Sequence, residues 1–160
     1  MADAEWERRA ELLWESLDSY SEPDFVAAMR SLVAELPGAD PVGPFELAGA
    51  YDTTGQPELA APLYQQALAG GLPASQRRQA VIQLASTLRN LERADESVAL
   101  LTAELDAGSD ELDDAVRAFL ALALTSVGRD REAVAITLTA LAGHLPRYRR
   151  AVTAYAAELR

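Results

Sequence analysis

Cysteine and lysine are absent from this 160-residue chain, and histidine occurs once, at His144. Without cysteine there is no disulfide framework, no thiolate zinc site and no cysteine nucleophile. One histidine leaves no second imidazole for a histidine-based metal site. A Ser-His-Asp arrangement would have to use it, and nothing in the spacing suggests one. No run approaches the ~18 apolar residues of a membrane span. The first residues are charged and carry no apolar segment, so no secretory signal is expected. A phosphate-cradling glycine loop is missing as well, since Gly70 and Gly71 read as a helix stop. Positive charge is scarce: fourteen arginines stand against twenty-five acids, for a net charge of −11. That balance argues against nucleic acid, which requires a basic footprint, and against an anionic membrane surface. A soluble cytoplasmic protein without a cofactor is the expectation.

Apolar residues make up 49% of the chain, with alanine the commonest. The length suits one domain with a core of its own, and alanine suits closely packed helices. The stretch from Phe45 to Pro73 shows the organisation. Leu47, Ala48 and Tyr51 fall on one side of a helix, Gly55 and Pro57 break the chain, and Ala60, Tyr64 and Ala67 fall on one side of a second helix. Two apolar stripes with a tight break between them make a helical hairpin.

The hairpin recurs. A shift of 37 residues places Leu84, Ala85 and Leu88 on Leu47, Ala48 and Tyr51, with Ser97 and Leu101 on Ala60 and Tyr64. A further 36 gives Leu120, Ala121, Leu124, Gly128, Ala133 and Ala140. Moving back 34 from Ala60 reaches Val26, with Leu13 and Leu17 in the helix before it. Such periods mean stacked helix pairs. The chain departs from its own pattern at Trp14, where a small residue is expected, and at Glu92, which replaces the turn glycine. The order of leucine, small residue, tyrosine, turn glycine, alanine, aromatic and alanine resembles the tetratricopeptide repeat family. More narrowly, the chain resembles the small stand-alone bacterial members of that family. The resemblance implies an all-α fold: a right-handed superhelical stack of about four antiparallel helix pairs within a single domain, 1–160. The repeats fall at 5–36, 44–70, 75–107 and 110–142, with a capping helix at 147–159.

In chain order, a first helix is predicted over residues 3–19, with Trp6, Ala10, Leu13, Trp14 and Leu17 inward. Ser21 caps the second, and an irregular stretch runs from Pro37 to Pro44. Ser75 caps the fifth helix, and Ser109 or Asp110 opens the seventh. Val134, Leu138 and Leu141 face inward on the eighth, and Ala151, Val152, Tyr155 and Leu159 on the ninth. Asp110, Glu111, Asp113 and Asp114 cluster at a helix start, where carboxylates favour the helix dipole. They lack the spacing and glycine of a calcium loop. Glu11, Glu15 and Asp18 share a side of the first helix with no nucleophile or histidine near them. His144 sits where it can meet terminal carbonyls.

The family resemblance implies a non-enzymatic module that binds a peptide or helix of another protein on a concave face. That face is lined by the first helix of each pair. The matching positions are Glu15 and Asp18, then Gly49, Asp52 and Thr53, then Ser86, Arg89 and Asn90, and then Leu122, Thr125 and Ser126. A channel acidic at its N-terminal side suits a basic segment. The family's carboxylate clamp uses lysine, arginine and asparagine, and Arg89 and Asn90 alone do not supply it. A homodimer is the alternative. From His144 to Arg160 four arginines meet one acid, whereas the first eighty residues carry thirteen acids and five arginines. That asymmetry can draw two copies together.

Overall fold

The computed structural model describes residues 2–159, and within them it is all helix, with no strand. The α-helices are α1 (Ala4–Glu15), α2 (Glu22–Val33), α3 (Val42–Thr53), α4 (Pro57–Ala69), α5 (Ala74–Asn90), α6 (Ala94–Ala107), α7 (Asp113–Ser126), α8 (Asp130–His144) and α9 (Arg149–Glu158). They belong to two compact units, Met1–Thr87 and Leu88–Arg160. In the first, α1 packs on α2, α2 on α3, and α3 on α4. In the second, α6 packs on α7, α7 on α8, and α8 on α9.

Local chemistry sets the helix ends. Asp3 accepts from the Trp6 N–H at 2.9 Å and starts α1. Ser21 accepts from the Asp24 N–H at 3.3 Å, with Pro23 in the first turn of α2, the pattern of a capped helix start. The turns between paired helices share one design. Gln56 N–H donates to the Tyr51 carbonyl, Arg93 N–H to Leu88 and Arg129 N–H to Leu124, each at 2.9 Å. One residue earlier, Gly55, Glu92 and Gly128 donate to Asp52, Arg89 and Thr125, each at 3.1 Å. This nested pair of bonds closes a helix through one left-handed residue. That residue is Gly55 at φ 72°, Glu92 at 61° and Gly128 at 76°. After two of these turns an arginine forks onto the acid three residues on, Arg93 onto Glu96 and Arg129 onto Glu132, at 2.6–2.7 Å.

The first unit's core is built on Phe25, Met29 and Ala50, with Leu13, Trp14, Leu17, Val33 and Leu47 against them. The Trp6 indole donates to the Leu32 carbonyl at 2.9 Å and ties α1 to α2. In the second unit Leu101, Val116, Leu120 and Leu124 are buried.

Several boundaries and faces differ from the sequence reading. α1 ends at Glu15, and the chain tightens into a 3-10 turn over Leu17–Ser19, where Ser16 Oγ donates to the Leu13 carbonyl. Asp18 therefore leaves the α1 face. α3 starts at Val42, inside the stretch expected to be irregular, with Pro44 in its first turn, where a missing N–H costs nothing. Ser75 lies inside α5 rather than capping it. α7 starts at Asp113, because Asp110 to Leu112 form a turn in which Leu112 N–H donates to Asp110 Oδ1 at 2.8 Å. His144 meets a side chain: its Nε2 lies 2.8 Å from Asp114 Oδ2. With Arg117 it holds the Asp114 carboxyl below its usual range.

The largest correction concerns α8. Val134 and Leu141 are about half exposed, at 47% and 48%, while Ala133, Ala135 and Ala142 are buried. At about 100° per residue, Ala133 lies on the opposite side from Ala135 and Ala142. α8 packs against both α7 and α9, its close contacts fall to alanine, and the Val134–Leu141 edge is left outside. In α9, Ala151 and Tyr155 are exposed and Ala156 is buried, with Val152 and Leu159 half-buried. Arg149 donates to the Ala142 and Gly143 carbonyls at 3.1 and 2.7 Å. That anchor turns the 149–152–156–159 side of α9 inward.

Candidate functional site

The first unit concentrates polar chemistry on one face of α3. Glu46, Gly49 and Asp52 stand three residues apart, on one side of the helix. Gly49 is the hinge of the arrangement. A Cβ built there would lie 3.1 and 3.3 Å from the Trp14 ring and 3.8 Å from the Tyr64 hydroxyl. Its absence lets α1 set the Trp14 indole directly against α3. The indole N–H then donates to Glu46 Oε2 at 2.6 Å. Trp14 thus fills a gap that the neighbouring helix leaves open.

Asp52 is held from the other side. Thr87 Oγ1 lies 3.0 Å from Asp52 Oδ2 and 2.8 Å from the Gln83 carbonyl. The single Thr87 hydroxyl proton is shared between these two acceptors. Burial pushes the Asp52 carboxyl up, with the Thr87 bond partly offsetting it. Burial pushes Glu46 up too, with the Trp14 bond partly offsetting it. Tyr64 lies among these groups, almost fully buried. Burial raises its hydroxyl far above the ordinary tyrosine range, and the charges of Asp52 and Glu46 raise it further. Among the described residues no arginine pairs with Glu46 or Asp52. Adjoining Glu46 is a cleft of about 310 Å³ lined by Trp6, Glu7, Glu11, Trp14, Glu46 and Gln76, among others. Three carboxylates and two indoles on one cleft offer charge and aromatic faces to a cation.

Of the residues singled out in the sequence, Gly49 and Asp52 belong to this face. Thr53 is exposed beside them and Ser86 is half-buried on α5. Glu15 and Asp18 are exposed, at the end of α1 and in the turn after it. Arg89, Asn90, Leu122 and Thr125 belong to the second unit. There Arg89 is half-buried, Asn90 exposed and Leu122 47% exposed, and Thr125 Oγ1 donates to the Leu122 carbonyl at 2.7 Å. Sequence reasoning missed Glu46 and the part played by Trp14. The signal was available: Glu46 is one turn before Gly49, and Trp14 departs from the pattern opposite a glycine. The Asp110–Asp114 cluster is occupied locally. Ser109 Oγ and Asp110 N–H donate to Asp113 at 2.6 and 3.2 Å, and Arg117 reaches Asp114 at 2.8 Å.

Helix pairs repeating at 36 or 37 residues, closed by turns of one design, define a helical-repeat protein. Residues 41–159 match the Tetratrico peptide repeat, and the chain belongs to that family. No curated protein and no solved structure matches it. Repeats of this family are generally non-catalytic modules for contact with other proteins. Among the described residues no helix is long and apolar enough to cross a membrane.

Proposed function

We propose that the chain is a non-enzymatic recognition module whose first unit receives a basic segment of a partner protein at Glu46 and Asp52. One observation carries this reading: two partly buried carboxylates share a helix face, and among the described residues no arginine pairs with either. Each is costly to ionise where it stands. An ammonium or guanidinium group brought against either carboxylate would offset that cost and gain charge-assisted hydrogen bonds. The indole face of Trp14 and the carboxylates of Glu7 and Glu11 extend the same chemistry along the cleft. The chain's net charge of −11 supports a basic protein segment rather than nucleic acid as the ligand.

The test is selection of peptides from a random library on the immobilised full chain. Arginine- and lysine-rich sequences should be enriched. Their affinity should fall at least about tenfold, the equivalent of about 1.4 kcal/mol, with Glu46→Gln plus Asp52→Asn. It should hold with Glu22→Gln plus Glu58→Gln, both exposed. Enriched peptides without an excess of basic residues, or equal binding to the Glu46/Asp52 variant, would overturn the proposal.

A further inference from the structure

Around α9 the charge of the chain reverses. Residues 133–157 contain no Asp or Glu, in a chain with twenty-five of them, and they include Arg147, Arg149 and Arg150. Arg149 is bound to the Ala142 and Gly143 carbonyls. Elsewhere arginines find acids: Arg8, Arg9, Arg93, Arg117 and Arg129 each reach a carboxylate. Arg147 and Arg150 are exposed, and among the described residues they make no hydrogen bond or ion pair. The carboxylate that meets the end of α8, Asp114, is already paired with His144 and Arg117.

Between these two arginines stands Tyr148. Its φ is 66°, in the left-handed region that disfavours a bulky side chain. Its ring is 78% exposed, the most of any large apolar side chain among the described residues. Neither feature serves folding, since the backbone there would suit glycine and the ring buries little. Such strain persists where the surroundings impose it, and it gathers at sites of contact. Here the two carbonyl bonds of Arg149 fix the turn. Tyr155, about two helical turns further on, is 63% exposed. Tyrosine and arginine are the side chains that most often anchor protein interfaces.

We infer that this surface docks an acidic segment of a partner protein, its carboxylates on Arg147 and Arg150 and its apolar side chains against Tyr148 and Tyr155. Charge complementarity selects the occupant. A guanidinium takes a carboxylate through two parallel hydrogen bonds, and within α9 no acid before Glu158 competes for it. The net charge of −11 acts from further away, and physiological salt screens it beyond about 8 Å. It weighs most against an extended polyanion, such as nucleic acid or an anionic membrane. A short acidic segment meets α9 alone. The surface belongs to the second unit and is independent of the basic-segment site in the first.

Selection from a random peptide library on the immobilised full chain should enrich an aspartate- and glutamate-rich class beside the basic one. The best acidic peptide is then resynthesised with a fluorescent label and titrated by anisotropy. Its affinity should fall at least about tenfold with Arg147→Glu plus Arg150→Glu. It should hold with Glu46→Gln plus Asp52→Asn, which alters the other site. Tyr148→Gly separates contact from folding: it should melt no lower than wild type and still bind the acidic peptide about fivefold more weakly. No acidic class, equal affinity for the double arginine variant, or undiminished affinity for Tyr148→Gly would each overturn the inference. So would vesicles of phosphatidylserine and phosphatidylcholine, or duplex DNA, that bind the wild type and not the double arginine variant.

Discussion

Glu92 occupies a position that its own repeat pattern assigns to glycine. Its φ is 61°, matching Gly55 at 72° and Gly128 at 76°, and its turn makes the same two backbone bonds at the same distances. The backbone thus adopts the left-handed form although a Cβ is present. That conformation costs a non-glycine residue roughly 1–2 kcal/mol. Glycine gives back part of the gain, roughly 0.5–1 kcal/mol, through its greater freedom in the unfolded chain. The Glu92 side chain is exposed and makes no hydrogen bond or ion pair among the described residues, so its removal sacrifices no contact. Glu92→Gly should therefore stabilise the protein by about 0.5–1 kcal/mol, the balance of those two terms.

In a chain of this length that difference raises the melting temperature by about 1–4 °C. Urea denaturation should show a higher midpoint with an unchanged slope, because the surface exposed on unfolding is the same. Asparagine, which tolerates the left-handed region better than glutamate, should fall between. Gly128→Ala supplies the opposite sign at the same register and should destabilise by about 1 kcal/mol. If Glu92→Gly melted at or below the wild type while Gly128→Ala was destabilising, the cost would not lie in the backbone at Glu92.

Two further predictions concern the α3 face. Burial raises the folded-state pKa of Glu46 and of Asp52 above their ordinary values of 4.5 and 3.8. Their contribution is thus fully present below the unfolded carboxylate range and is lost as pH rises through the raised folded values. Glu46→Gln plus Asp52→Asn removes that dependence, so the melting temperature of the variant relative to wild type should climb from pH 4 to pH 7.5. The acids held low by Arg93 and Arg129 contribute the opposite slope in both proteins and cancel. Parallel pH curves would refute the assignment. Gly49→Ala places a Cβ 3.1 Å from a Trp14 ring that its bond to Glu46 holds in position. Overpacking of about 1–3 kcal/mol should outweigh the helix propensity that alanine adds, roughly 0.5–1 kcal/mol. A lower urea midpoint and a shifted tryptophan emission are expected, and a stabilised variant would show that the contact is not tight.

How far the sequence could be read follows from how each residue is constrained. The helix pairs were legible because period and turn chemistry agree: Leu84, Ala85 and Leu88 repeat Leu47, Ala48 and Tyr51, and all three pairs are helical. The buried side of α8 was not legible. Alanine, valine, isoleucine and leucine surround that helix, so periodicity cannot choose a face. Contact on two opposite sides then selects for small volume at Ala133, Ala135 and Ala142 and leaves the larger Val134 and Leu141 outside. The face of α9 was misread for a related reason, because Arg149 fixes the helix by bonds to carbonyl groups that no apolar pattern encodes.

The α3 face teaches something different, because its key residue departs from the pattern in helix α1 rather than in α3. Trp14 stands where a small residue would make the first repeat regular, and Gly49 is small where the matching positions are Ser86 and Leu122. Neither departure is economical alone. A glycine in mid-helix costs stability, and a tryptophan needs both room and a partner for its N–H. Together they are mutually explanatory: the glycine supplies the room, and Glu46 accepts the N–H. What the tryptophan–glycine pair adds is a carboxylate fixed in direction, to which no arginine is paired among the described residues. A fixed and uncompensated charge contributes little to folding and much to recognition of a cation, which is why we place the proposed partner site at the departure from the repeat rather than on the repeat itself.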